Sequence, residues 1–350
     1  MDILGKIKEV GLKGCGGAFY PTADKWQAVK DSFAVKKYIV ANGSEGEPNV
    51  TKDGWLLANH PEPVITGMKA ALDFLKERKV TVKAYLYLNP IYYKKYATNL
   101  KKIILAKNAD IEIFKKPDDA GYIGGEETAA LNDIEGKKIE PRLKPPFPTV
   151  SGLWGYPTIV NNIETFYHIG CLVDGKYKDV RFYSINGDCR KKGVFEFSDE
   201  MDIADILKST DNWPDYRFFV QVGGGACGNI LNDNQLDQPA CGAMSLTLYN
   251  AEVWQPKEVL RKWIGFFMTE SCGQCVPCRE GTYRLFETIN SPEPNWQLVY
   301  DLLKNLGEAS FCGLGLSVPW PIESYIKNVV CSGEYKLDYP CKKDICKIFK

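Results

Sequence analysis

Hydrophobic residues follow two different periods in the first half of the chain. Residues 38–41 and 111–114 are short apolar runs with the length of buried strands, and residues 80–88 alternate as a further strand. Residues 65–79 and 92–107 repeat apolar positions every three to four residues, as amphipathic helices do. This β-α-β-α-β order predicts a mainly parallel sheet with helices on its faces.

The pattern changes twice in the second half of the chain. Residues 175–254 contain short β-like runs separated by glycine-rich turns, with one helical stretch at 203–209, and predict a small α+β module. From Pro256 onwards the pattern is helical. It predicts four short helices that form a small bundle, at residues 257–267, 279–289, 296–306 and 321–329.

Composition and charge exclude several classes of function. The 350 residues predict two or three domains, and 45% hydrophobic with 25% charged residues is ordinary for a globular protein. Lys+Arg and Asp+Glu both total 44, so no net charge attracts nucleic acid or an anionic membrane. No apolar run is long enough to cross a membrane, and the first ten residues resemble an amphipathic helix rather than a secretory signal. We therefore expect a cytoplasmic protein whose 12 cysteines are reduced thiols.

The strongest chemical signal is a run of three cysteines at a strict spacing. Cys272, Cys275 and Cys278 form C-x2-C-x2-C, the spacing with which iron–sulfur proteins supply three thiolates to one 4Fe–4S cluster. Cys312, between small glycines, is the candidate fourth ligand. Zinc also accepts four thiolates, although structural zinc sites usually use two C-x2-C pairs. Unligated core cysteines are the remaining alternative.

Three loops in the first half have the residues of a nucleotide site. Residues 11–22 hold four glycines in seven residues near Lys25, a composition that lets backbone N–H groups approach an anion. Residues 42–48 put polar and acidic side chains at the carboxyl end of a predicted strand, the usual ligand position of an open α/β sheet. Residues 141–148 form a rigid proline loop that presents Lys144 and Phe147. Each loop could instead be an ordinary turn or a solvated surface segment.

The remaining cysteines show no clear metal spacing. We expect Cys189, Cys227 and Cys241 to be buried small hydrophobic residues. Three further cysteines in the tail could ligate a second metal, or the tail could be frayed. They are Cys331, Cys341 and Cys346.

Four of these stretches together resemble one known family. They are G-L-x-G-x-G-G-A at 11–18, G-E-E-T-A at 125–129, P-R-L-K-P-P-F-P at 141–148 and S-C-G-x-C-x-P-C-R-E-G-T at 271–282. In this order they resemble the NADH- and FMN-binding flavoprotein subunit of respiratory complex I. The same motifs occur in its relatives in NAD(P)-linked and electron-bifurcating hydrogenases and in NAD-dependent formate dehydrogenases.

The resemblance implies a domain organisation that agrees with the patterns above. It implies a Rossmann-like FMN/NADH domain at residues 1–172 and a ubiquitin-like β-grasp domain at 173–255. A C-terminal helical bundle carrying a 4Fe–4S cluster would follow at 256–330, with a Cys-containing tail at 331–350.

The resemblance also implies roles for individual residues. The expected FMN contacts are Gly14, Gly16, Gly17, Lys25, Asn42, Tyr122, Gly125, Asn161 and Asn162. The expected NAD(H) contacts are Glu47 near the nicotinamide, Glu127, Lys144, Phe147, and Tyr20 against the adenine. Glu45 and Glu126 are further expected cofactor-binding residues. No side chain is expected to act as a general acid or base, because the transferred group is a hydride.

The function implied is electron input to a larger complex. NADH would reduce FMN, and electrons would pass singly through the cluster to a partner, expected to be a thioredoxin-like 2Fe–2S subunit with further iron–sulfur subunits beyond it. The alternative is a degenerate paralogue that has lost flavin or nucleotide. Its support is three departures from the family pattern, Phe19, Ala28 and Ser44. Cys15, Asn49 and Gly124 are further departures.

Overall fold

The computed structural model describes residues 2–335 and 342–349. The chain divides into two units. Unit 1 consists of Met1–Gly46 and Thr51–Val180, and unit 2 consists of Glu47–Val50 and Arg181–Lys350.

Unit 1 is built on a parallel sheet with the strand order β3-β2-β1-β4. Its strands are β1 (Lys36–Gly43), β2 (Thr81–Leu88), β3 (Ile111–Lys115) and β4 (Thr158–Asn162). The first three strands agree with the sequence prediction, whereas β4 was not predicted. The chain runs outward from β1 through β2 to β3 and then returns to the other side of β1. The carboxyl ends of β1 and β4 are therefore adjacent.

Helices accompany this sheet, as the alternating pattern predicted. They are α1 (Ile3–Glu9), α2 (Thr22–Lys30), α3 (Lys52–Asn59), α4 (Pro61–Leu75), α5 (Pro90–Ala106), α6 (Glu127–Ile134) and α7 (Ile163–Val173). Helices α4 and α7 cross with their backbones in contact. A Cβ atom added at Gly67 would lie 2.0 Å from the Phe166 carbonyl oxygen, and one at Gly170 would lie 1.9 Å from that of Pro63. Only glycine allows this approach. The prediction of an α/β fold with a parallel, Rossmann-like sheet is confirmed.

Unit 2 contains a mixed five-stranded sheet with the order β6-β5-β9-β7-β8. Its strands are β5 (Arg181–Gly187), β6 (Gly193–Phe197), β7 (Phe218–Val222), β8 (Asn229–Asn232) and β9 (Ser245–Asn250). β5 pairs with β9 in parallel, and the other pairs are antiparallel. A single helix, α8 (Ile203–Ser209), lies between β6 and β7 in the chain.

The rest of unit 2 is helical from Pro256 onwards. The helices are α9 (Pro256–Glu270), α10 (Val276–Asn290), α11 (Trp296–Ala309), α12 (Gly313–Leu316) and α13 (Pro319–Tyr325), then a π-helical turn (Ile326–Val330) and α14 (Lys342–Ile348). Side-chain hydrogen bonds attach these helices to the sheet. The Trp263 indole of α9 donates to Gln221 Oε1 of β7 at 3.1 Å.

Cysteines outside the C-x2-C-x2-C run depart from their predicted state. Cys331 and Cys346 form a disulfide, with their Cα atoms 5.6 Å apart, so neither sulfur is the thiolate that a second metal would need. Cys341 lies outside the described residues. Cys241 is exposed and Cys189 is partly exposed, because both occupy loops rather than the core. Cys227 is also partly exposed, in the turn before β8, so the expectation of buried small hydrophobic residues is wrong for all three.

Within residues 2–335 and 342–349, no helix has both the length and the hydrophobicity needed to cross a membrane.

Candidate cofactor sites

Polar side chains meet where the carboxyl ends of β1 and β4 lie side by side. Asn42 and Asn162 are register partners, and Asn162 caps α7 by accepting the Glu164 N–H at 2.9 Å. The Asn42 amide donates to the Gly125 carbonyl at 2.9 Å. The strand order reverses between β1 and β4, which is where open α/β sheets bind their ligands. Three predicted FMN residues, including the neighbouring Asn161, thus lie at one edge of the sheet.

The glycine-rich loop lies against this edge. The Cys15 N–H donates to the Thr165 hydroxyl at 2.9 Å, which attaches the loop to the first turn of α7. A Cβ atom at Gly16 would lie 3.4 Å from Cβ of Asn162, and Gly17 has a φ of 103°, which favours glycine. The structure therefore brings the predicted flavin loop together with the predicted flavin asparagines.

Two departures from the family pattern lie in the left-handed region of backbone conformation that favours glycine. Phe19 has φ 52° and Asn49 has φ 64°. Asparagine enters this left-handed region readily, whereas an aromatic residue there is strained. The conformation of Phe19 therefore carries an energetic cost.

A second loop closes on the same edge from residues 121–125. A Cβ atom at Gly46 would lie 3.4 Å from Cδ2 of Tyr122, and one at Gly125 would lie 2.9 Å from the Ser44 carbonyl oxygen. Gly125 also receives the Asn42 hydrogen bond. The predicted FMN contacts Tyr122 and Gly125 are thus packed against the loop that follows β1.

Lys25 lies inside this group of residues. Its ammonium donates to the Val160 carbonyl at 2.8 Å and lies 3.9 Å from Glu127 Oε2. Burial lowers the pKa of Lys25, against the opposing attraction of Glu127. The Tyr20 ring is 53% exposed and lies 6.0 Å from the Lys25 ammonium. An exposed ring beside a cation suits stacking on a nucleotide base.

Lys144 joins the two glutamates of the Gly-Glu-Glu-Thr motif. Its ammonium lies 2.8 Å from Glu126 Oε1 and 2.8 Å from Glu127 Oε1. Burial disfavours the charge, but the two carboxylates outweigh it and raise the pKa of Lys144. Glu126 also caps α6 by accepting the N–H groups of Thr128 and Ala129. Phe147 projects from the same proline loop with 54% of its surface exposed.

Arg142 holds this proline loop in place, a role that the sequence did not reveal. Its guanidinium donates to Asn132 Oδ1 at 2.8 Å, to the Gly152 carbonyl at 2.9 Å and to Glu135 Oε1 at 2.7 Å. Three fixed partners orient the loop that carries Lys144.

A buried ionic group beneath the sheet edge was also missed by sequence reasoning. Lys52 Nζ lies 2.8 Å from Asp53 Oδ1 and 2.9 Å from Glu164 Oε2. Glu45 accepts the Asp53 N–H at 3.1 Å and the Tyr92 hydroxyl. Burial disfavours the Lys52 charge, but the carboxylates of Asp53 and Glu164 outweigh it and raise its pKa. Burial raises the pKa of Glu45 to about 7, and the nearby Asp53 carboxylate adds to that rise.

This ionic group supports the predicted flavin edge directly. Asn162 accepts from Lys52 at 3.1 Å and donates to Asp53 Oδ2 at 2.6 Å. The predicted cofactor residue Glu45 therefore fixes buried backbone and side chains. Lys52 and Asp53 are adjacent in sequence soon after the acidic loop, which is the signal that could have revealed them.

A buried thiol, carboxylate and imidazole also come together near α7. One ligand atom each from Cys15, Glu164 and His168 lie within 4.8 Å of one another. Glu164 is already paired with the Lys52 ammonium, which would repel a metal cation on the same carboxylate. We therefore interpret this cluster as a structural polar network.

Glu47 is the one predicted nucleotide-binding residue in unit 2. Its Oε1 accepts the N–H groups of Ala226 at 2.8 Å and Cys227 at 2.9 Å. This environment could not be inferred from the sequence, because the partners are about 180 residues away.

The four candidate cluster ligands converge at the beginnings of two helices. Cys275 immediately precedes α10, Cys278 lies in its first turn, and Cys312 immediately precedes α12. A Cβ atom at Gly315 in α12 would lie 3.3 Å from Cβ of Cys278, so the two helix starts are in contact. Cys278 is 5% exposed. Burial raises the pKa of its thiol to about 11, and the raising effect is shared by the nearby thiols of Cys275, Cys312 and Cys272.

This donor set fits an iron–sulfur cluster. Four neighbouring thiols that form no disulfide match the number and kind of ligands that a 4Fe–4S centre takes. The beginning of α10 contributes the positive end of a 15-residue helix, which favours an anionic cluster with its thiolates. Gly273, in the loop between Cys272 and Cys275, has φ 77°, a left-handed conformation that glycine adopts readily.

Comparison with protein families supports both sites. Residues 7–170 match the model of the Nuo51 FMN-binding domain, and residues 258–330 match that of the NADH-ubiquinone oxidoreductase-F iron–sulfur binding region. These matches confirm the predicted cofactors, FMN and a 4Fe–4S cluster.

Comparisons of the whole chain with individual proteins agree with these family matches. The chain is 32% identical to the F subunit of the NADH-quinone oxidoreductase of Streptomyces coelicolor, over 93% of this chain and 81% of that protein. It is 31% identical to the alpha subunit of the NAD-reducing hydrogenase HoxS of Cupriavidus necator, over 92% of this chain and 58% of that protein. A crystal structure of an NAD+-reducing NiFe-hydrogenase in the H2-reduced state superposes with a TM-score of 0.82 at 28% identity, covering 93% of this chain and 60% of the hydrogenase chain. The chain belongs to the NADH-quinone oxidoreductase F-subunit family.

Proposed function

We propose that this chain is the electron-input subunit of a multi-subunit oxidoreductase that uses NADH, FMN and a 4Fe–4S cluster. The observation that carries the proposal is the convergence of four thiols, none of them in a disulfide, at the beginnings of α10 and α12. Bound FMN would supply hydride-accepting chemistry, and a bound 4Fe–4S cluster would supply one-electron chemistry. The protein itself binds, orients and shields these groups.

In this proposal the edge of the unit 1 sheet holds the flavin. Gly14, Gly16 and Gly17 allow the backbone to approach the isoalloxazine and the phosphate. The side chains assigned to the flavin are those of Lys25, Asn42, Tyr122, Asn161 and Asn162, with the backbone of Gly125. Their clustering around the β1 and β4 ends supports this assignment.

The nicotinamide nucleotide is assigned to the exposed rings and the acidic residues. Tyr20 and Phe147 offer faces for base stacking, and both rings are about half exposed. Glu127 and Lys144 are assigned to the adenosine half, with Glu126 holding Lys144 in position. Glu47 is assigned to the nicotinamide half. Glu45 is assigned as a further cofactor-binding residue, held by the Asp53 N–H and the Tyr92 hydroxyl.

Cys272, Cys275, Cys278 and Cys312 are assigned as the cluster ligands. The five-stranded order β6-β5-β9-β7-β8 with one helix supports a β-grasp domain at residues 173–255. The helices from α9 to the π-helical turn support a separate bundle at 256–330, after the flavin domain at 1–172. Nine cysteines of the described residues form no disulfide, including the four proposed ligands, which supports a cytoplasmic location, whereas the Cys331–Cys346 disulfide is unusual for one.

The partner is proposed to be a thioredoxin-like 2Fe–2S protein, with further iron–sulfur subunits beyond it. The relatives that match this chain are named as subunits of larger enzymes, which supports a role within a complex.

One experiment tests the function against the degenerate-paralogue alternative, whose structural support is the strained backbone of Phe19. The full chain is purified anaerobically, its flavin absorbance and its iron and sulfide are measured, and NADH is added. We expect one FMN and four irons per chain and rapid bleaching of the flavin. A chain that holds iron but no flavin, or flavin that NADH does not bleach, would support the degenerate paralogue instead.

A further inference from the structure

The segment Glu47–Val50 is bound into unit 2 by its own hydrogen bonds, although it lies 131 or more residues from the rest of that unit in sequence. The Gly225 N–H donates to the Pro48 carbonyl at 3.0 Å. The Asn186 side chain donates to the Asn49 carbonyl at 2.8 Å. Glu47 therefore begins a segment whose backbone is fixed.

The Glu47 side chain is fixed as well. Its Oε1 accepts two backbone N–H groups, from Ala226 at 2.8 Å and Cys227 at 2.9 Å. Bonds from backbone amides to a carboxylate are charge-assisted and stronger than bonds between neutral groups. Among the described residues no hydrogen bond engages Oε2, so that oxygen is available to a further donor.

Gly224 makes room for this carboxylate. A Cβ atom at Gly224 would lie 2.4 Å from Oε1 of Glu47, 2.7 Å from its Cδ and 2.8 Å from its Cγ. These are the far atoms of a flexible side chain, so a methyl group there would displace the carboxylate rather than the backbone. Gly224 does not occupy the left-handed region, so its substitution by alanine introduces no backbone strain.

The turn that donates these amides is anchored to the helix that follows Cys312. The Ser317 hydroxyl oxygen lies 3.2 Å from Cys227 Sγ and 3.1 Å from the Leu314 carbonyl oxygen. Ser317 ends α12, which begins directly after Cys312. The two amide donors are thereby held on the helical part of unit 2.

We propose that Gly224, Ala226 and Cys227 are positioning residues that fix the Glu47 carboxylate for recognition of the nicotinamide–ribose half of the dinucleotide. With Oε1 held by two amides, Oε2 accepts a hydrogen bond from a ribose hydroxyl or the carboxamide of that half. A glutamate loses substantial rotamer freedom when it is ordered, and the amide pair removes that cost before the ligand binds. The inference rests on the proposed function, because it assigns Glu47 to the nicotinamide nucleotide.

The test uses the full chain with its flavin and cluster, purified anaerobically. Flavin reduction is followed by stopped flow as a function of NADH concentration, which separates the dissociation constant from the limiting rate. Gly224→Ala is expected to raise the dissociation constant for NADH about tenfold or more, with a much smaller change in the limiting rate. FMN and iron contents should remain those of the wild type. Gly265→Ala is the matched control, since a Cβ atom there lies 3.4 Å from the Phe286 ring and far from the turn in sequence.

A double-variant comparison shows whether Gly224→Ala acts through Glu47. Glu47→Ala alone is expected to weaken NADH binding, and adding Gly224→Ala should then have no further effect, because the displaced group is absent. Additive effects would overturn the proposal, and so would a Gly224→Ala variant that binds NADH like the wild type. Loss of iron in Gly224→Ala would overturn it too, since the turn would then be structural. A wild-type flavin that NADH does not reduce would instead reject the proposed function itself.

Discussion

The Lys144 ammonium lies 2.8 Å from the Glu127 carboxylate, in a pair whose side chains are both about 30% exposed. The same ammonium bonds Glu126, and Lys25 approaches the other oxygen of Glu127 at 3.9 Å. Glu127 is therefore placed between two cations. A 2′-phosphate would have to displace this carboxylate before either cation could bind it.

We expect NADH to be preferred over NADPH by at least about tenfold in kcat/KM, because the Glu127 carboxylate accepts ribose hydroxyls and repels a 2′-phosphate. Glu127→Ala should reduce this difference in kcat/KM, chiefly by raising the value for NADPH. The substitution frees the Lys144 and Lys25 ammonium groups to bind the 2′-phosphate. The measurement is flavin reduction by each cofactor in wild type and variant. Glu112→Ala, which removes an exposed carboxylate paired with Lys83, is the control. Equal wild-type rates with both cofactors would show that Glu127 does not set the preference.

Cys278→Ala is expected to remove most of the iron while leaving FMN bound. Cys278 is the buried member of the four thiols, and the flavin residues belong to a unit with its own core. Iron and sulfide analysis with flavin absorbance measures both outcomes. Cys189→Ala is the matched control, because Cys189 is also a thiol of unit 2 outside the disulfide, and this variant is expected to keep the iron. Retention of iron in Cys278→Ala, or zinc in the wild-type protein, would refute the assignment.

Local patterns predicted most elements of the fold. The helix at 203–209 and the strands near residues 38, 85 and 112 were found as predicted, because their periodicity is visible within one short window. β4 was missed. Its five residues end in Asn161 and Asn162, follow Pro157, and become a strand only by pairing with β1 about 120 residues away. Such long-range pairing leaves little trace in a local window.

The residues of the candidate sites were likewise predictable only where their signal is local in the sequence. Cys272, Cys275 and Cys278 were predicted as cluster ligands because their spacing is itself the chemical signal. Cys312 was added for its glycine neighbours, and the glycine loop was assigned to the flavin through the family resemblance. The buried group of Lys52, Asp53 and Glu164 was not, since it depends on a contact between α3 and the first turn of α7. The amide pair that holds Glu47 was missed for the same reason.

The close crossing of α4 and α7 predicts that a larger residue at Gly170 lowers the stability of unit 1. Gly170→Ala should lower the free energy of unfolding by about 3 kcal/mol, because a Cβ atom there would lie 1.9 Å from the Pro63 carbonyl oxygen and backbone would have to move. Chemical denaturation followed by far-ultraviolet circular dichroism reports the unfolding of both units, and flavin release reports that of unit 1. Gly265→Ala, in a helix with room for a methyl group, should be neutral or slightly stabilising. A neutral Gly170→Ala would show that the two helices can separate at little cost.

The strained residue in the glycine loop predicts a stabilising substitution. Phe19→Gly should raise the free energy of unfolding by about 1 kcal/mol, because the left-handed backbone costs an aromatic residue more than glycine loses in chain entropy. Asn49→Gly, at φ 64°, is the matched comparison and should have a smaller effect, since asparagine tolerates this region. Thermal or chemical unfolding of the two variants is compared with that of the wild type. A destabilised Phe19→Gly would mean that the packing of the ring outweighs the strain.

The buried carboxyl of Glu45 predicts a pH dependence of stability. Burial raises its pKa to about 7, with a further contribution from Asp53, whereas Lys52 and the Tyr92 hydrogen bond oppose the rise. In the unfolded chain a glutamate titrates near pH 4.3, about its ordinary value. Between these two pH values the folded protein holds a proton that the unfolded chain has released. The protonated Glu45 carboxyl therefore stabilises the folded protein fully at pH values below the pKa that Glu45 has in the unfolded chain. This stabilisation is lost as the pH rises through the pKa of Glu45 in the folded protein.

Glu45→Gln should remove this loss, because glutamine is neutral at every pH. We expect the free energy of unfolding of the wild type to fall relative to that of the variant from about pH 4.5 to about pH 7, with a limiting slope of about 1.4 kcal/mol per pH unit for one proton. The pKa of Asp53 is also raised, so part of the pH dependence of the free energy of unfolding remains in the variant. Urea denaturation at several pH values, followed by flavin release, measures both curves, and Glu112→Gln on the exposed face of β3 serves as the control. Parallel curves for wild type and Glu45→Gln would mean that Glu45 is ionised throughout this range, with the Lys52 ammonium holding its charge.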